Sequence, residues 1–543
     1  MSCIGCRSRL AHWWYLAENA GVRRAHRARE LALLPDLEQL SVFVELPILT
    51  LIIGVILGAG ALLSRFSRFM GIPAGLLFLI AGMILGEDGP FGIRFDNYEI
   101  TYEIACTALG LILFHGGLST SFETLRRAWK PALLLATVGV LGITVVTGWG
   151  VWLFSPKVTT LAVSLLIGAI LASTDAAAVF DLLASQRLKG RAREILVVES
   201  GFNDPMAFVL VFALTDTVVF HQSNLGMGFD LAVIGVLGWQ LVIGLLIGLI
   251  AGLLGSSLLH FSSAGGAALY PVLTIAIALV TIGFAGVVES SSLLATYIAG
   301  VVIGNRNIPF RSTMERVHDT IAWVSQITMF FLLGLLVTPS LLPEFIVGGV
   351  LTALWIAFFA RPVVVGTLLS FFKIPWRENI LISFSGLRGA VPIILATIPI
   401  LVIAELPDRP GTEIERLFAF IFVVVVVGSF IPGMLVRPIS KLLDMRAGTI
   451  EEPSVELELV AADILDERIE TFLVPSTHSD SSRSLKNLGL PEGARVLTVL
   501  RDGRFAVVDD ELILKPGDHL ALVYPANARN EVVRSLDFER RSG

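Results

Sequence analysis

Charged residues are scarce in this sequence. Aspartate, glutamate, lysine and arginine together make up 16% of the 543 residues, whereas soluble globular proteins carry about 25%. The scarcity is concentrated between about residue 40 and residue 440. That pattern excludes a soluble globular domain over this stretch. A basic stripe is also missing, so we predict no nucleic-acid partner.

The sequence has few cysteines and lacks the common catalytic motifs. The three cysteines are Cys3, Cys6 and Cys106, which form neither a disulfide framework nor a zinc site with two cysteine pairs. The chain contains no H-E-x-x-H, G-x-S-x-G or P-loop sequence. We therefore predict that it is not an enzyme, has no cofactor and holds no resident metal ion.

Long apolar runs dominate the sequence instead. A run of about 20 apolar residues crosses the hydrocarbon core of a bilayer as a helix, and we count about thirteen such runs. The predicted spans are 43–63, 71–87, 99–117, 131–154, 158–184, 194–219, 230–258, 268–287, 289–304, 320–338, 344–371, 378–403 and 416–436. The predicted fold is an all-α polytopic membrane protein.

The basic residues between these spans predict an orientation. Arginines and lysines follow the odd-numbered spans, as Arg126 and Arg127 follow the third and Arg187 and Arg193 the fifth. Because cytoplasmic loops carry the excess of such residues, we expect the C-terminal region to lie in the cytoplasm. Thirteen spans then place the N-terminus outside, which fits the arginine-rich residues 1–40 badly. Either one span is miscounted or that tail is absent from the mature protein.

The pattern changes beyond residue 450. Val496 and Leu520 lie in short strand-like runs, and turn sequences such as Lys515 to Asp518 separate these runs. We predict a small α+β cytoplasmic domain here. The predicted divisions are a disordered basic tail at 1–40, a membrane domain at 41–440, a linker at 441–466 and the C-terminal domain at 467–540.

Few ionisable groups lie deep in the predicted spans. Such groups are costly in a membrane and mark an ion pathway or a paired site. The candidates, in chain order, are His115, Asp175, Glu199, Asp204, Arg361 and Arg388.

Two of these groups lie where polar or glycine-containing sequence interrupts an apolar span. Ser173 to Asp175 interrupts the fifth span, and Gly386 to Pro392 interrupts the twelfth. In transporters, broken helices at the membrane midplane expose carbonyl oxygens and helix ends to an ion. One break lies early and one late, so we predict two broken helices within inverted repeats.

The sixth span supplies hard oxygen ligands suited to a monovalent cation. Ser200, Asn203 and Asp204 lie on neighbouring faces of one helix, at positions i, i+3 and i+4. Glu199 is five residues before Asp204, about 140° around the helix, and therefore needs another partner. Arg361 is the nearest candidate by chemistry.

The membrane region from about 45 to 440 resembles the NhaP-type monovalent cation–proton antiporters. The motif E-S-x-x-N-D at 199–204 and the motif G-L-R-G-A-V at 386–391 carry this resemblance. It implies exchange of a monovalent cation for protons by alternating access in the plasma (inner) membrane, by a multi-pass protein that is a homodimer in contact with lipid.

The resemblance also implies roles for individual residues. Asp204 corresponds to the carboxylate that binds the cation or the proton. Ser200 and the Thr174 carbonyl correspond to further ligands, and Asp175 to their supporting carboxylate. Asn203 corresponds to the residue associated with electroneutral exchange.

Three further positions correspond to supporting residues of the family. Glu199 and Arg361 match its buried ion pair, and Arg388 matches the arginine that supports the second broken helix. The sequence departs from the family pattern twice. Many members have proline after the aspartate. This sequence has Ala176 there, and in this it resembles the cell-volume-regulation subgroup. His115 stands where relatives often carry an acidic residue, which leaves its place in the ion pathway open.

Residues 467–537 resemble the TrkA C-terminal domain, also called the RCK C-terminal domain, of potassium-handling proteins. In the subgroup that combines both regions, this domain implies potassium/proton antiport and regulation by a cytoplasmic ligand. Alternatively, the domain only stabilises a dimer. The residues themselves leave K⁺ and Na⁺ open, since both accept hard oxygen ligands.

A different class of protein, a potassium channel gated by an RCK domain, is the main alternative. A channel of this kind needs a carbonyl filter such as T-V-G-Y-G. The sequence has none, and a buried carboxylate beside broken helices favours a carrier.

Overall fold

A computed structural model describes most of the chain in two units. The described residues are 50–62, 74–154, 160–174, 191–220, 231–261, 268–404, 411–445, 467–474 and most of 485–536, single positions within these ranges excepted. One unit ends at Leu63 and the other begins at Ser64. The first contains the apolar helix α1 (Ile53–Leu62).

The second unit is mostly helical up to residue 442. Its helices are α2 (Ala74–Leu85), α3 (Tyr98–Leu118), α4 (Phe122–Leu134), α5 (Val140–Phe154), α6 (Leu161–Ala172), α7 (Ala192–Phe220), α8 (Leu231–Phe261), α9 (Leu269–Val287), α10 (Ser292–Gly304), α11 (Arg311–Leu335), α12 (Leu342–Trp355), α13 (Arg361–Ser370), α14 (Trp376–Phe384), α15 (Ala390–Ala404) and α16 (Gly411–Leu442). A 3₁₀ turn at Pro339–Leu341 precedes α12.

Seven stretches of helix in the described chain are long and apolar enough to cross a membrane. They are Tyr98–Leu118, Phe122–Phe154, Ala192–Asp216, Gly238–Phe261, Leu269–Val287, Pro339–Ser370 and Arg416–Leu442. Shorter apolar helices accompany them, among them α2, α6 and α10. The chain is therefore helical and polytopic as predicted, while the count of thirteen spans stays a prediction.

Two helices begin nine residues before their predicted spans. The helix predicted to start at 131 begins at Phe122, where the Ser121 side chain accepts a hydrogen bond from the Thr124 N–H and caps the first turn. The helix predicted to start at 320 begins at Arg311. Both additional segments carry charged residues on exposed faces, which lowers their hydropathy without preventing helix formation.

Small residues let the membrane helices approach closely. A Cβ on Gly117 of α3 would overlap the Tyr297 carbonyl oxygen of α10, and one on Gly300 of α10 would overlap the Phe114 carbonyl oxygen of α3. Helix pairs in membranes use such positions to gain van der Waals contact. The two helices therefore pack backbone against backbone.

The C-terminal region contains a four-stranded antiparallel sheet with the order β1-β4-β2-β3. The strands are β1 (Glu467–Leu473), β2 (Arg495–Arg501), β3 (Arg504–Ala506) and β4 (His519–Pro525). Ile469 pairs with Val523, and a β-bulge interrupts β2 between Val496 and Thr498.

This sheet has a hydrophobic core of its own. Buried side chains including Val499, Leu520, Leu522 and Val532 form one cluster. At its margin, Arg501 donates two hydrogen bonds of 2.8 Å to the carboxylate of Asp518. The predicted tail at 1–40 and almost all of the predicted linker at 441–466 lie outside the described residues, and the predicted division into domains stays a prediction.

Candidate ion-binding site

The first predicted break begins where α6 ends at Ala172. Ser173 has extended backbone angles (φ −64°, ψ 150°), and its hydroxyl donates to the Ile170 carbonyl at 3.0 Å. Ser173 and Thr174 are both buried. The structure therefore brings an irregular, polar backbone segment into the interior. Asp175 lies outside the described residues.

The second break separates α14 from α15. Helix α14 ends at Phe384 and α15 begins at Ala390, so the interruption is shorter than the predicted Gly386 to Pro392. Pro392 belongs to the first turn of α15, where proline is tolerated because the N–H that it lacks has no helical acceptor.

The oxygen-bearing side chains predicted on the sixth span lie on α7 and are buried. Ser200, Asn203 and Asp204 are at most 1% exposed. The Asn203 side-chain amide donates to the Thr174 hydroxyl at 2.9 Å, which joins α7 to the first break. The Ser200 hydroxyl donates to the Leu196 carbonyl of its own helix at 2.8 Å. Its lone pairs remain available to a cation.

Glu199 and Arg361 lie in contact, which joins α7 to α13. Arg361 Nη2 lies 3.0 Å from Glu199 Oε1 and 3.2 Å from Oε2. Both side chains are buried. The Arg361 side chain crosses Gly386 in the second break so closely that any Cβ at position 386 would overlap it. Glycine is thus required here for the arginine to reach its carboxylate.

Arg388 joins the two breaks directly. Its Nε donates to the Leu171 carbonyl at 2.8 Å and its Nη1 to the Gly386 carbonyl at 3.3 Å. Leu171 lies in the last turn of α6, where carbonyls have no helical donor and the helix dipole favours a cation. Arg388 therefore supplies both a donor and a positive charge to the end of the first half-helix.

Comparison with family models decides the identity of this arrangement. The model for "Sodium/hydrogen exchanger, transmembrane" matches residues 51–442, and that for the TrkA-C domain matches residues 469–537. The chain belongs to the sodium/hydrogen exchanger family.

Two curated relatives match the exchanger over most of their length. The K(+)/H(+) antiporter NhaP of Alkalimonas amylolytica is 35% identical over 483 residues, which cover 87% of this chain and 80% of that protein. The K(+)/H(+) antiporter NhaP2 of Shewanella baltica is 36% identical over 480 residues, with the same coverage. The resemblance predicted from the sequence motifs is therefore confirmed.

A solved structure agrees with the exchanger in fold. The sodium proton antiporter MjNhaP1 from Methanocaldococcus jannaschii at pH 8 aligns with a TM-score of 0.61 at 22% identity. The alignment covers 74% of this chain and 98% of that one. This likeness concerns the fold alone.

His115 of the exchanger contacts α11. Its Nε2 lies 3.6 Å from Asp319 Oδ1, and its neighbour Phe114 packs its ring against His318. His318 in turn hydrogen-bonds the Thr274 hydroxyl of α9 at 2.8 Å. The ionisable partner that the structure gives to the His115 side chain therefore lies on α11.

Sequence reasoning missed two features of the helical region. Ser429 of α16 places its hydroxyl within hydrogen-bonding distance of the Arg388 carbonyl and of the Val425 carbonyl. A lone serine after a run of valines was the signal that could have identified it. The other feature is a pair of π-helical segments, Leu135–Gly139 and Ile356–Ala360, for which we find no sequence signal.

These π-helical segments interrupt two long membrane helices. The second segment ends directly before Arg361, the partner of Glu199. Single π-helical turns widen a helix locally and are frequent at functional sites. The segment Ile356–Ala360 therefore sets the position from which the arginine reaches across to α7.

Proposed function

We propose that this exchanger moves K⁺ in one direction and H⁺ in the other across the plasma (inner) membrane, electroneutrally and by alternating access. The observation that carries the proposal is the buried group formed by Ser200, Asn203 and Asp204 of α7 against Thr174 at the end of a broken helix. Oxygen atoms of these residue types are the ligands that a hard monovalent cation prefers.

Competition for one carboxylate gives the coupling. A carboxylate taken out of water is costly unless a proton or a cation neutralises it. We propose that Asp204 accepts either one but not both, and that the carrier reorients only when Asp204 is neutralised. Asn203 is an uncharged amide, so one proton replaces one cation and no net charge moves.

The preference for K⁺ rests on the relatives and on the C-terminal region. Both curated relatives described above are named K(+)/H(+) antiporters. The match to the TrkA-C domain supports the proposal that a regulatory ligand binds on the cytoplasmic side. We propose that the transporter is a homodimer whose C-terminus lies in the cytoplasm, because basic residues follow the odd-numbered spans.

Roles for the surrounding residues complete the proposal. Ser200 and the Thr174 carbonyl are further cation ligands, and Asp175 supports them. Arg388 holds the two breaks together. His115, in contact with Asp319 near the end of α3, belongs to the route by which ions approach the site.

The test is cation-driven proton movement in inside-out vesicles. A pH-sensitive dye follows an imposed proton gradient while K⁺ or Na⁺ is added. We expect K⁺ to collapse the gradient in the wild type and to have no effect in Asp204→Asn. The control is Asp216→Asn, an exposed carboxylate on the same helix, which should behave as the wild type.

Two results would contradict the proposal. Proton movement in Asp204→Asn equal to that of the wild type would remove Asp204 from the mechanism. A K⁺ conductance without proton movement would favour the gated channel instead. A larger response to Na⁺ than to K⁺ would reverse the assignment of the cation while leaving the exchange in place.

A further inference from the structure

An open groove lies between α13 and α14. Its walls are Pro362, Gly366, Trp376, Asn379, Ile380, Ser383 and Phe384. The five α14 residues recur at intervals of three or four positions, so they form one stripe along that helix. From Trp376 to Phe384 the stripe is about 12 Å long, at a rise of about 1.5 Å per residue. The groove therefore follows α14 from its first residue to the second break.

The polar groups in the groove are hydrogen-bonded to one another. The Asn379 side-chain amide donates to the Gly366 carbonyl at 3.1 Å, and the Ser383 hydroxyl donates to Asn379 Oδ1 at 3.4 Å. A polar ligand would have to replace these bonds, whereas a hydrocarbon chain would leave them intact. The groove has a volume of about 200 Å³, and a helix about 10 Å wide would need several times that volume over the same length. It therefore suits one hydrocarbon chain.

Two cations lie at the end of the groove where α14 begins. The Arg377 guanidinium is 5.6 Å from the ring centre of Trp376, and Lys373 precedes α14 by three residues. Both basic side chains are exposed, and neither forms an ion pair with another described residue. The neighbouring carboxylate, Glu378, is buried and accepts a hydrogen bond from the Arg191 N–H at 2.9 Å. The positive charge at the groove mouth is therefore available to a ligand.

Exposed aromatic side chains accompany these cations. Phe371 is 74% exposed and Trp376 is 63% exposed. Tryptophan beside lysine or arginine is typical of the level of the lipid headgroups in a membrane protein. The mouth of the groove therefore lies at the headgroups, and its apolar length lies at the depth of the acyl chains.

We propose that the groove binds one acyl chain of an anionic phospholipid, such as phosphatidylglycerol, whose phosphate lies at Lys373 and Arg377. Basic pockets between membrane helices attract anionic headgroups, and the apolar walls bury the chain. A phosphate at one end of a hydrocarbon chain matches the order of the two features along α14. The lipid is bound in addition to the ions that the exchanger transports.

Native mass spectrometry of the purified full-length protein tests the choice of lipid. The delipidated protein in detergent receives phosphatidylglycerol or phosphatidylcholine with the same oleoyl chains, and the dissociation constant of the first bound lipid is measured. We expect phosphatidylglycerol to bind about tenfold more tightly. Millimolar inorganic phosphate should not displace it, because free phosphate has no chain to fill the groove.

Removal of the two cations tests the headgroup contact. In Lys373→Gln/Arg377→Gln, the affinity for phosphatidylglycerol should fall to that for phosphatidylcholine, which should stay unchanged. The matched control is Arg126→Gln/Lys130→Gln, which loses the same charge from exposed positions of α4. Lys130 also lies beside a tryptophan, 5.5 Å from the ring centre of Trp129, but outside the groove. This control should keep the preference of the wild type.

Filling the groove tests the contact with the acyl chain. A Cβ on Gly366 would lie 4.0 Å from Asn379 Oδ1, an ordinary contact, so a larger side chain at 366 extends into the groove. We expect Gly366→Leu to weaken the binding of both phospholipids by about tenfold. The control is Gly283→Leu in α9, where a Cβ meets no neighbouring atom. Its lipid affinities should stay within about twofold of those of the wild type.

Four outcomes would overturn the proposal. They are equal affinities of the wild type for the two phospholipids, displacement of the lipid by inorganic phosphate, equal effects of a groove variant and its control, and a smaller assembly in Gly366→Leu, which would assign the groove to a second copy of the chain. Size-exclusion profiles verify folding, and the glutamine variant still decides if Gly366→Leu does not fold. The measurement needs no transport, so its failure would leave the proposed cation–proton exchange untouched.

Discussion

Glu199 and Arg361 meet in the buried interior of the membrane region. The sequence suggested this pair because so few ionisable side chains lie within the spans, and the structure places Nη2 and Oε1 3.0 Å apart. The partners of Arg388 could not be predicted in the same way. They are the backbone carbonyls of Leu171 and Gly386, and every residue carries such an acceptor.

Removing one member of the Glu199–Arg361 pair should strongly destabilise the protein. Glu199→Gln leaves Arg361 buried without its counter-charge, which costs about 3–5 kcal/mol in comparable cases. We expect a clear fall in the thermal unfolding temperature of the purified protein. The exposed pair of Arg416 and Glu344 gives the control, since Glu344→Gln should change that temperature little. Equal effects of the two substitutions would mean that the buried pair contributes no more than a surface contact.

At the scale of elements, the second break requires glycine at position 386. An alanine there would place its Cβ within the side chain of Arg361, so either the arginine or the broken segment must move. We expect Gly386→Ala to abolish most cation-driven proton movement in inside-out vesicles. Gly283→Ala serves as the control, because a Cβ at that position of α9 meets no neighbouring atom. Full activity in Gly386→Ala would show that the Arg361 position can change without consequence.

The boundaries of elements were predicted less well than their kind. Hydropathy predicted the apolar parts of these two membrane helices but missed the nine residues with which each begins, 122–130 in α4 and 311–319 in α11, because these segments carry charged side chains. It also cannot distinguish α-helical from π-helical hydrogen bonding, because the same apolar side chains suit both. The segment Ile356–Ala360, which sets the position of Arg361, therefore became visible only in the structure.

At the scale of the whole molecule, the membrane region and the C-terminal region differ in what they bury. The membrane region buries polar groups at helix breaks, whereas the C-terminal region packs a sheet on a hydrophobic core of its own. The change in composition near residue 450 was sufficient to predict this contrast. Neither composition pattern predicts an effect of one region on the other, because such a coupling depends on the relative free energies of whole-molecule conformations.

Removal of residues 446–543 tests the regulatory role of the C-terminal region. Because that region has its own core, we expect the truncated protein to insert in the membrane and to retain cation-driven proton movement. The K⁺ concentration that gives half-maximal movement should shift by about twofold or more, as for a typical allosteric coupling. An unchanged K⁺ dependence together with a smaller assembly on size-exclusion chromatography would indicate that the region only stabilises a dimer.

The two hydrogen bonds of Arg388 bear on how the site can be exposed to either side of the membrane. The bond to Leu171 connects the end of α6 to the second break, the bond to Gly386 lies within the second break, and Ser429 of α16 donates to the Arg388 carbonyl. Separating the two breaks would lose the charge-assisted bond between Arg388 and Leu171 in a buried environment that offers no replacement acceptor. We therefore expect the two breaks to move together as one rigid body that carries the bound ion. The relative motion would then occur between this body and other helices of the protein.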